Sequence, residues 1–127
     1  MKALLDTHAF IWWDSEPARL SPRALGLLQN PLVSLFISAA SVWEILTKQR
    51  LGTITLKTAL RTLLNEQKAN GVQFLPVTME LLLASDELMA PQGDPFDRLI
   101  AAQAKAEGAL LVTSDPVFAS YPVKVFW

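Results

Sequence analysis

Cysteine is absent from this 127-residue sequence and histidine occurs once, at His8. The first absence excludes disulfides and thiolate metal centres; the second excludes multi-histidine zinc sites. Glycine is sparse, with five scattered residues, so neither G-x-G-x-x-G nor a P-loop is present and the usual nucleotide addresses are missing. Charge nearly cancels, with 11 Lys and Arg against 12 Asp and Glu. No global positive field attracts nucleic acid, and any such contact must come from a local cluster. No uncharged apolar run reaches the roughly 18 residues of a membrane span, and the opening MKALLD breaks at Asp6 before a signal-peptide core can form. The expectation is a cytoplasmic protein without membrane attachment.

What is present is apolar. Hydrophobic residues make up 51% and charged residues 18%, an excess that leaves apolar surface for a partner once a core is filled. The length suits a single domain over residues 1–127. Five short apolar runs, Lys2–Leu5, Leu35–Ser38, Gln73–Val77, Ala109–Thr113 and Val123–Phe126, are mostly continuous rather than alternating, as in strands covered on both faces. Between them lie helical patterns at His8–Trp13, Ser21–Gln29, Ala39–Arg50, Thr55–Asn70, Thr78–Met89 and Pro95–Glu107. Ser21-Pro22 makes a good helix start, and Gly52, Gly71 and Gly108 make stops. The alternation predicts an α/β layer fold on a mainly parallel sheet.

One carboxylate stands out. From Pro31 to Thr47 the only charged residue is Glu44. In a parallel α/β sheet, ligands gather beyond the carboxyl ends of the strands. Asp6 follows the first predicted strand and Asp115 the fourth; Glu44 lies within two turns of the end of the second, and Asp97 opens the helix that feeds the fourth. Structural roles are also open to these residues. Asp94-Pro95-Phe96-Asp97 reads as a helix start, Ser41 and Glu44 have capping-box spacing, Asp6 can cap the next helix, and Asp115-Pro116 can open a turn. Acids sharing one rim repel, by about 4 kcal/mol for two unit charges 4 Å apart at an effective dielectric near 20. These motifs contain no lysine, so a divalent cation is the natural neutraliser. All-oxygen ligation favours Mg²⁺ or Mn²⁺, and such centres activate water for in-line phosphodiester hydrolysis.

Four passages, LLDTHAFIWW (Leu4–Trp13), ISAASVWEI (Ile37–Ile45), DPFDRLIAAQA (Asp94–Ala104) and LVTSDPVFASY (Leu111–Tyr121), occur in this order. Together they resemble the PIN domain, specifically the VapC-type toxin ribonucleases of bacterial toxin–antitoxin pairs. The resemblance implies a three-layer α/β fold with a mainly parallel five-stranded sheet in the order 3-2-1-4-5 and helices on both faces. It implies that Asp6, Glu44, Asp97 and Asp115 are the catalytic and metal-binding acids, with Asp94 as accessory. Thr7 and Ser114 are implied to hydrogen-bond a carboxylate or metal-bound water. The implied activity is Mg²⁺- or Mn²⁺-dependent cleavage of RNA, restrained by a cognate antitoxin protein. Arg98, beside Asp97, is the candidate phosphate contact. Many relatives carry a histidine or basic residue just before DPFDR and an arginine at the position of Ser114, where this chain has Gln92-Gly93 and a serine.

Competing readings are a housekeeping RNA-processing nuclease, a non-catalytic PIN-like binding module and a receiver-type phosphoacceptor. The last needs an acidic pair beside the first strand and a lysine after a late one; Leu4-Leu5-Asp6 and the Pro116 that follows LVTSD supply neither. His8 is read as a helix-start residue rather than a general base. Trp12 and Trp13 are read as core or antitoxin groove ahead of base stacking, and Lys48, Arg50, Lys57 and Arg61 as a solvated face ahead of a grip on RNA phosphates. The apolar excess, the tryptophan pair and the leucine-rich Thr55–Asn70 pattern lead to the expectation of a homodimer.

Overall fold

The computed structural model describes residues 1–88 and 93–127. Five strands, β1 (Lys2–Leu5), β2 (Ser34–Ser38), β3 (Gln73–Leu75), β4 (Leu110–Val112) and β5 (Val125–Phe126), form one sheet in the order 3-2-1-4-5. Every pairing is parallel; Leu4 lies opposite Phe36 and Leu111, and Leu5 opposite Val112. Among the described residues six α-helices surround it: α1 (Thr7–Ser15), α2 (Pro22–Gln29), α3 (Ala39–Leu51), α4 (Leu60–Ala69), α5 (Met79–Asp86) and α6 (Pro95–Glu107).

The continuous hydrophobicity of the strands has a direct cause. Leu4, Phe36 and Leu111 point into one apolar layer with Leu81, Leu99 and Ile100 of α5 and α6. Their neighbours Ala3, Leu5, Ile37 and Val112 point into the other, with Phe10, Leu28 and Leu63 of α1, α2 and α4. Both faces are covered, so the central residues Ala3–Leu5, Phe36–Ser38 and Leu111–Val112 are buried whichever way they point. Full burial of a Leu, Ile or Phe contributes roughly 1.5–3 kcal/mol, which is why the sheet centre tolerates no polar interruption before its rim.

Local signals set most boundaries. Ser21, Ser38, Thr78 and Asp94 each accept a backbone N–H as the N-caps of α2, α3, α5 and α6. Gly108, at φ 60°, ends α6 in the left-handed conformation that a Cβ would oppose. Several expected boundaries are corrected. The helix expected over Thr55–Asn70 begins only at Leu60, because Ala59 offers no side-chain cap and the preceding segment is tied back instead, with the Thr53 and Ile54 amides bonded to Lys48 O. The third strand stops at Leu75, before Pro76, which has no N–H to donate to the sheet. The last strand shortens to Val125–Phe126. The fifth helix ends at Asp86; Met89, the end expected for it, lies outside the described residues.

Candidate active site

In the order 3-2-1-4-5 the chain reverses direction across the sheet between β1 and β4, and a crevice opens beyond their carboxyl ends. There the N-termini of α1, α6 and the 3-10 turn Pro116–Ser120 meet around a cleft of about 260 Å³. Asp6, Glu44, Asp94, Asp97 and Asp115 all line it, with Thr7, His8, Lys48, Ile100 and Phe118. The five acids drawn from separate passages of the sequence therefore do come together.

Three of the acids are caps as well as cleft residues. Asp6 Oδ1 accepts from Ala9 N at 2.7 Å, Asp94 Oδ1 from Phe96 N at 2.7 Å, and Asp115 Oδ1 from Val117 N at 3.0 Å. A cap satisfies an otherwise orphaned helix N–H and occupies one carboxylate oxygen. Capping and ligand binding are compatible here, since each carboxylate keeps a second oxygen. That of Asp6 accepts from the Thr113 hydroxyl, and that of Asp94 lies 4.0 Å from Lys48 Nζ.

Glu44 sits in the second turn of α3, too deep to cap it; Ser38 is the cap. The side chain is buried, and it accepts from the Thr7 hydroxyl and from Lys48 Nζ. The Thr7 oxygen lies 3.0 Å from Ser41 Oγ and accepts that hydroxyl's proton, its own being given to Glu44. The expectation that no lysine serves these acids is thus corrected: Lys48, one turn beyond Glu44, belongs to the cleft and not to a solvated face. Burial works against its ammonium, but the Glu44 hydrogen bond and the charges of Glu44, Asp94 and Asp97 outweigh it and raise the pKa.

The electrostatics record the crowding. Burial, then the charges of Asp94, Glu44 and Asp115, push the Asp97 carboxyl up to about 7, against the pull of Lys48. Burial also raises Asp6, opposed by its hydrogen bonds from Thr113 and Ala9 and by the His8 charge, with Asp115 adding to the rise. The donor set is all oxygen and short of positive charge, which suits Mg²⁺ or Mn²⁺, and the Lys48 ammonium already stands where a cation is needed. No three acidic or imidazole side chains are gathered at ligating range among the described residues.

Other residues fall differently. Arg98 turns away from the cleft, its guanidinium donating to the carbonyls of Ser85 at 2.8 Å, Leu88 at 3.2 Å and Asp86 at 3.4 Å, where it caps the end of α5. The candidate phosphate contact is accordingly engaged elsewhere. Ser114 is exposed and does not line the cleft; its neighbour Thr113 does the bonding, to Asp6 and to the Asp115 amide at 3.0 Å. Thr113 lies within the LVTSDPVFASY passage, but only the β1–β4 pairing brings it to Asp6. Gln92 lies outside the described residues.

A doubly wound parallel sheet with a carboxylate cleft at its switch point defines the class of protein. The chain belongs to the PIN-domain family, whose pattern matches residues 3–124. It is 34% identical over 113 residues to Ribonuclease VapC22 of Mycobacterium tuberculosis, covering 88% of this chain and 85% of that protein. Among solved structures it is similar in fold to VapBC2 of Rickettsia felis bound to a promoter DNA fragment, with a TM-score of 0.69 at 20% identity over 98% of this chain and 96% of that one. VapBC-1 of nontypeable Haemophilus influenzae matches with a TM-score of 0.59 at 21% identity over 91% and 87%.

Proposed function

We propose that this protein is a divalent-metal-dependent endoribonuclease, the toxin of a VapC-type toxin–antitoxin pair. The observation that carries the reading is the convergence of Asp6, Glu44, Asp94, Asp97 and Asp115 on one cleft with the Asp97 carboxyl raised to about 7. The 34% identity to Ribonuclease VapC22 supports the substrate class.

Asp6, Asp97 and Asp115, with Glu44, would hold Mg²⁺ or Mn²⁺, which when bound lowers the pKa of water and neutralises a phosphodiester. Thr113 fixes the orientation of Asp6, and Thr7 that of Glu44. Lys48 balances Glu44 and Asp94 in the metal-free protein and remains beside a phosphate drawn to the cleft. Asp94 secures the N-terminus of α6 and so the position of Asp97.

The partners follow from the same reading: an RNA substrate, a cognate antitoxin, as in the VapBC complexes of similar fold, and a second copy of the chain. Trp12 and Trp13 are half-buried and Leu63 is fully buried, so the residues expected to drive dimerisation largely serve the core. The apolar surplus lies instead at Trp43 and Leu46 of α3 and Leu82 and Leu83 of α5, 43–59% exposed, on two helices that pack against α6. A cytoplasmic location fits, and no helix among the described residues is long and apolar enough to cross a membrane.

The test pairs RNA cleavage with thermal melts in Mn²⁺ and in EDTA. A metal bound only by the folded state stabilises it by about 2.7 kcal/mol at a hundredfold excess over Kd. Superimposable melts at millimolar Mn²⁺ together with intact RNA would refute the reading.

A further inference from the structure

The cleft is acidic, but one of its walls leads to a different chemistry. His8 is exposed on that wall, with its ring centroid 5.8 Å from that of Trp12, one turn along α1. Trp12 meets the Trp127 ring edge-on at 6.0 Å and carries the Arg19 guanidinium 4.4 Å from its centroid. Phe126, the residue before Trp127, carries the Arg23 guanidinium at 4.7 Å. The rings of His8, Trp12 and Trp127 therefore follow one another outward from the cleft with Arg19 on Trp12, and Arg23 lies on the ring of the adjoining residue, Phe126.

Aromatic rings at this density could be read as core. Trp12 and Trp127 do pack one side against the core, but both are only half-buried, and the cations mark what is left, since a fully buried ring needs none above it. Arg23 is exposed and has no carboxylate within ion-pair distance among the described residues. Arg19 is held by Glu16 only at 3.8 Å, and Glu16 is shared with Lys57 at 3.7 Å. A guanidinium resting on a ring keeps its N–H fork and one planar side available. The Arg19 side chain is 56% exposed. Rings and guanidinium planes accept unpaired bases by stacking, and the N–H forks accept phosphates. An acidic cleft repels a polyanion, so a strand cut there needs such a holding place at its side.

We propose that the ledge formed by His8, Trp12, Arg19 and Arg23 binds single-stranded RNA, holding nucleotides on one side of the bond presented to the cleft. The proposal rests on the ribonuclease reading for its substrate but is tested apart from it. In the Asp97→Asn chain without metal, so that nothing is cut, binding of a short labelled single-stranded RNA is followed by fluorescence anisotropy. Adding Arg19→Gln and Arg23→Gln, both on exposed side chains, should weaken binding about tenfold and lower the salt slope by about two. Trp12→Phe should weaken it less, and the same RNA annealed into a duplex should bind poorly because its bases are already stacked.

Unchanged affinity and salt slope in the arginine variants overturn the ledge, as does a parent chain that binds no RNA. Variants that keep RNA binding but lose the protein encoded beside this gene would show a protein groove instead and also overturn it. Arginine-dependent RNA binding by a chain that, unsubstituted, cuts nothing in Mn²⁺ sustains the ledge and removes the nuclease reading. Cleavage by the unsubstituted chain with normal RNA binding by the variants does the reverse.

Discussion

The two ends of the sheet carry opposite charge. Beyond the carboxyl ends of the strands lies the five-acid cleft of about 260 Å³; beyond the amino ends lies a larger hollow, about 390 Å³, lined by Lys2, Lys105 and Lys124 with Gly108. Volume alone would favour the second. Solvation favours the first. The lysines stand in water, where Lys2 pairs with Glu107 at 3.3 Å with the two side chains 49% and 27% exposed, and such a pair contributes little. Several of the acids are held where water is scarce: Asp6 and Glu44 are buried, and Asp97 is raised to about 7. Charge kept at an energetic disadvantage marks a functional site more reliably than the size of a hollow.

The largest break in this comparison is catalytic. Asp6→Asn or Asp97→Asn should reduce RNA cleavage at least about a hundredfold, the usual loss when a group that stabilises developing charge is removed. Lys105→Gln at the opposite end should leave the rate unaltered. Parallel cleavage assays on the three variants measure both.

Removing the internal counter-ion sharpens the contrast in stability. Lys48→Met strands the buried Glu44 carboxylate and should destabilise the metal-free protein by about 3 kcal/mol, at the low end for a broken buried pair because Lys48 is partly exposed. Mn²⁺ should then raise the melting temperature more than it does in the unsubstituted chain. Calorimetry with and without metal checks both signs.

A smaller effect is the pH dependence. The Asp97 carboxyl titrates near 3.8 when unfolded and near 7 when folded, so the folded state binds the extra proton between these values. Its contribution to metal-free stability is full below 3.8 and is lost as pH rises through 7. Asp97→Asn should flatten that part of the curve and leave the variant the more stable at pH 8, as denaturant titrations at several pH values would show. Smallest of all, Lys2→Ala should shift stability by no more than about 1 kcal/mol, with or without metal, by the same titration.

Much of this was legible along the chain because it is decided locally. Ser21, Ser38, Thr78 and Asp94 accept helix N–H groups two or three residues away, and Gly108 ends α6 through its own φ. Continuous apolar runs marked strands because both sheet faces are covered. The acids were recognisable since charge inside apolar sequence requires a reason. Lys48 was legible too, four residues from Glu44 on one helix, but grouping it with the charges that follow hid the pairing.

Other features depended on the tertiary structure. The hydroxyl that holds Asp6 belongs to Thr113, 107 residues away, because Leu5 pairs with Val112 and so sets the residues that follow each strand, Asp6 and Thr113, side by side, whereas neighbouring Ser114 is exposed. Arg98 looked like a phosphate contact beside Asp97, yet the carbonyls at the end of α5, 10–13 residues earlier, claim its guanidinium. Local sequence determines which caps, stops and apolar periods a segment carries. Which oxygen meets which proton across the cleft is decided only when β1 and β4 pair and α5 packs on α6, since hydrogen bonds reach about 3 Å and only the folded chain brings such distant residues that close.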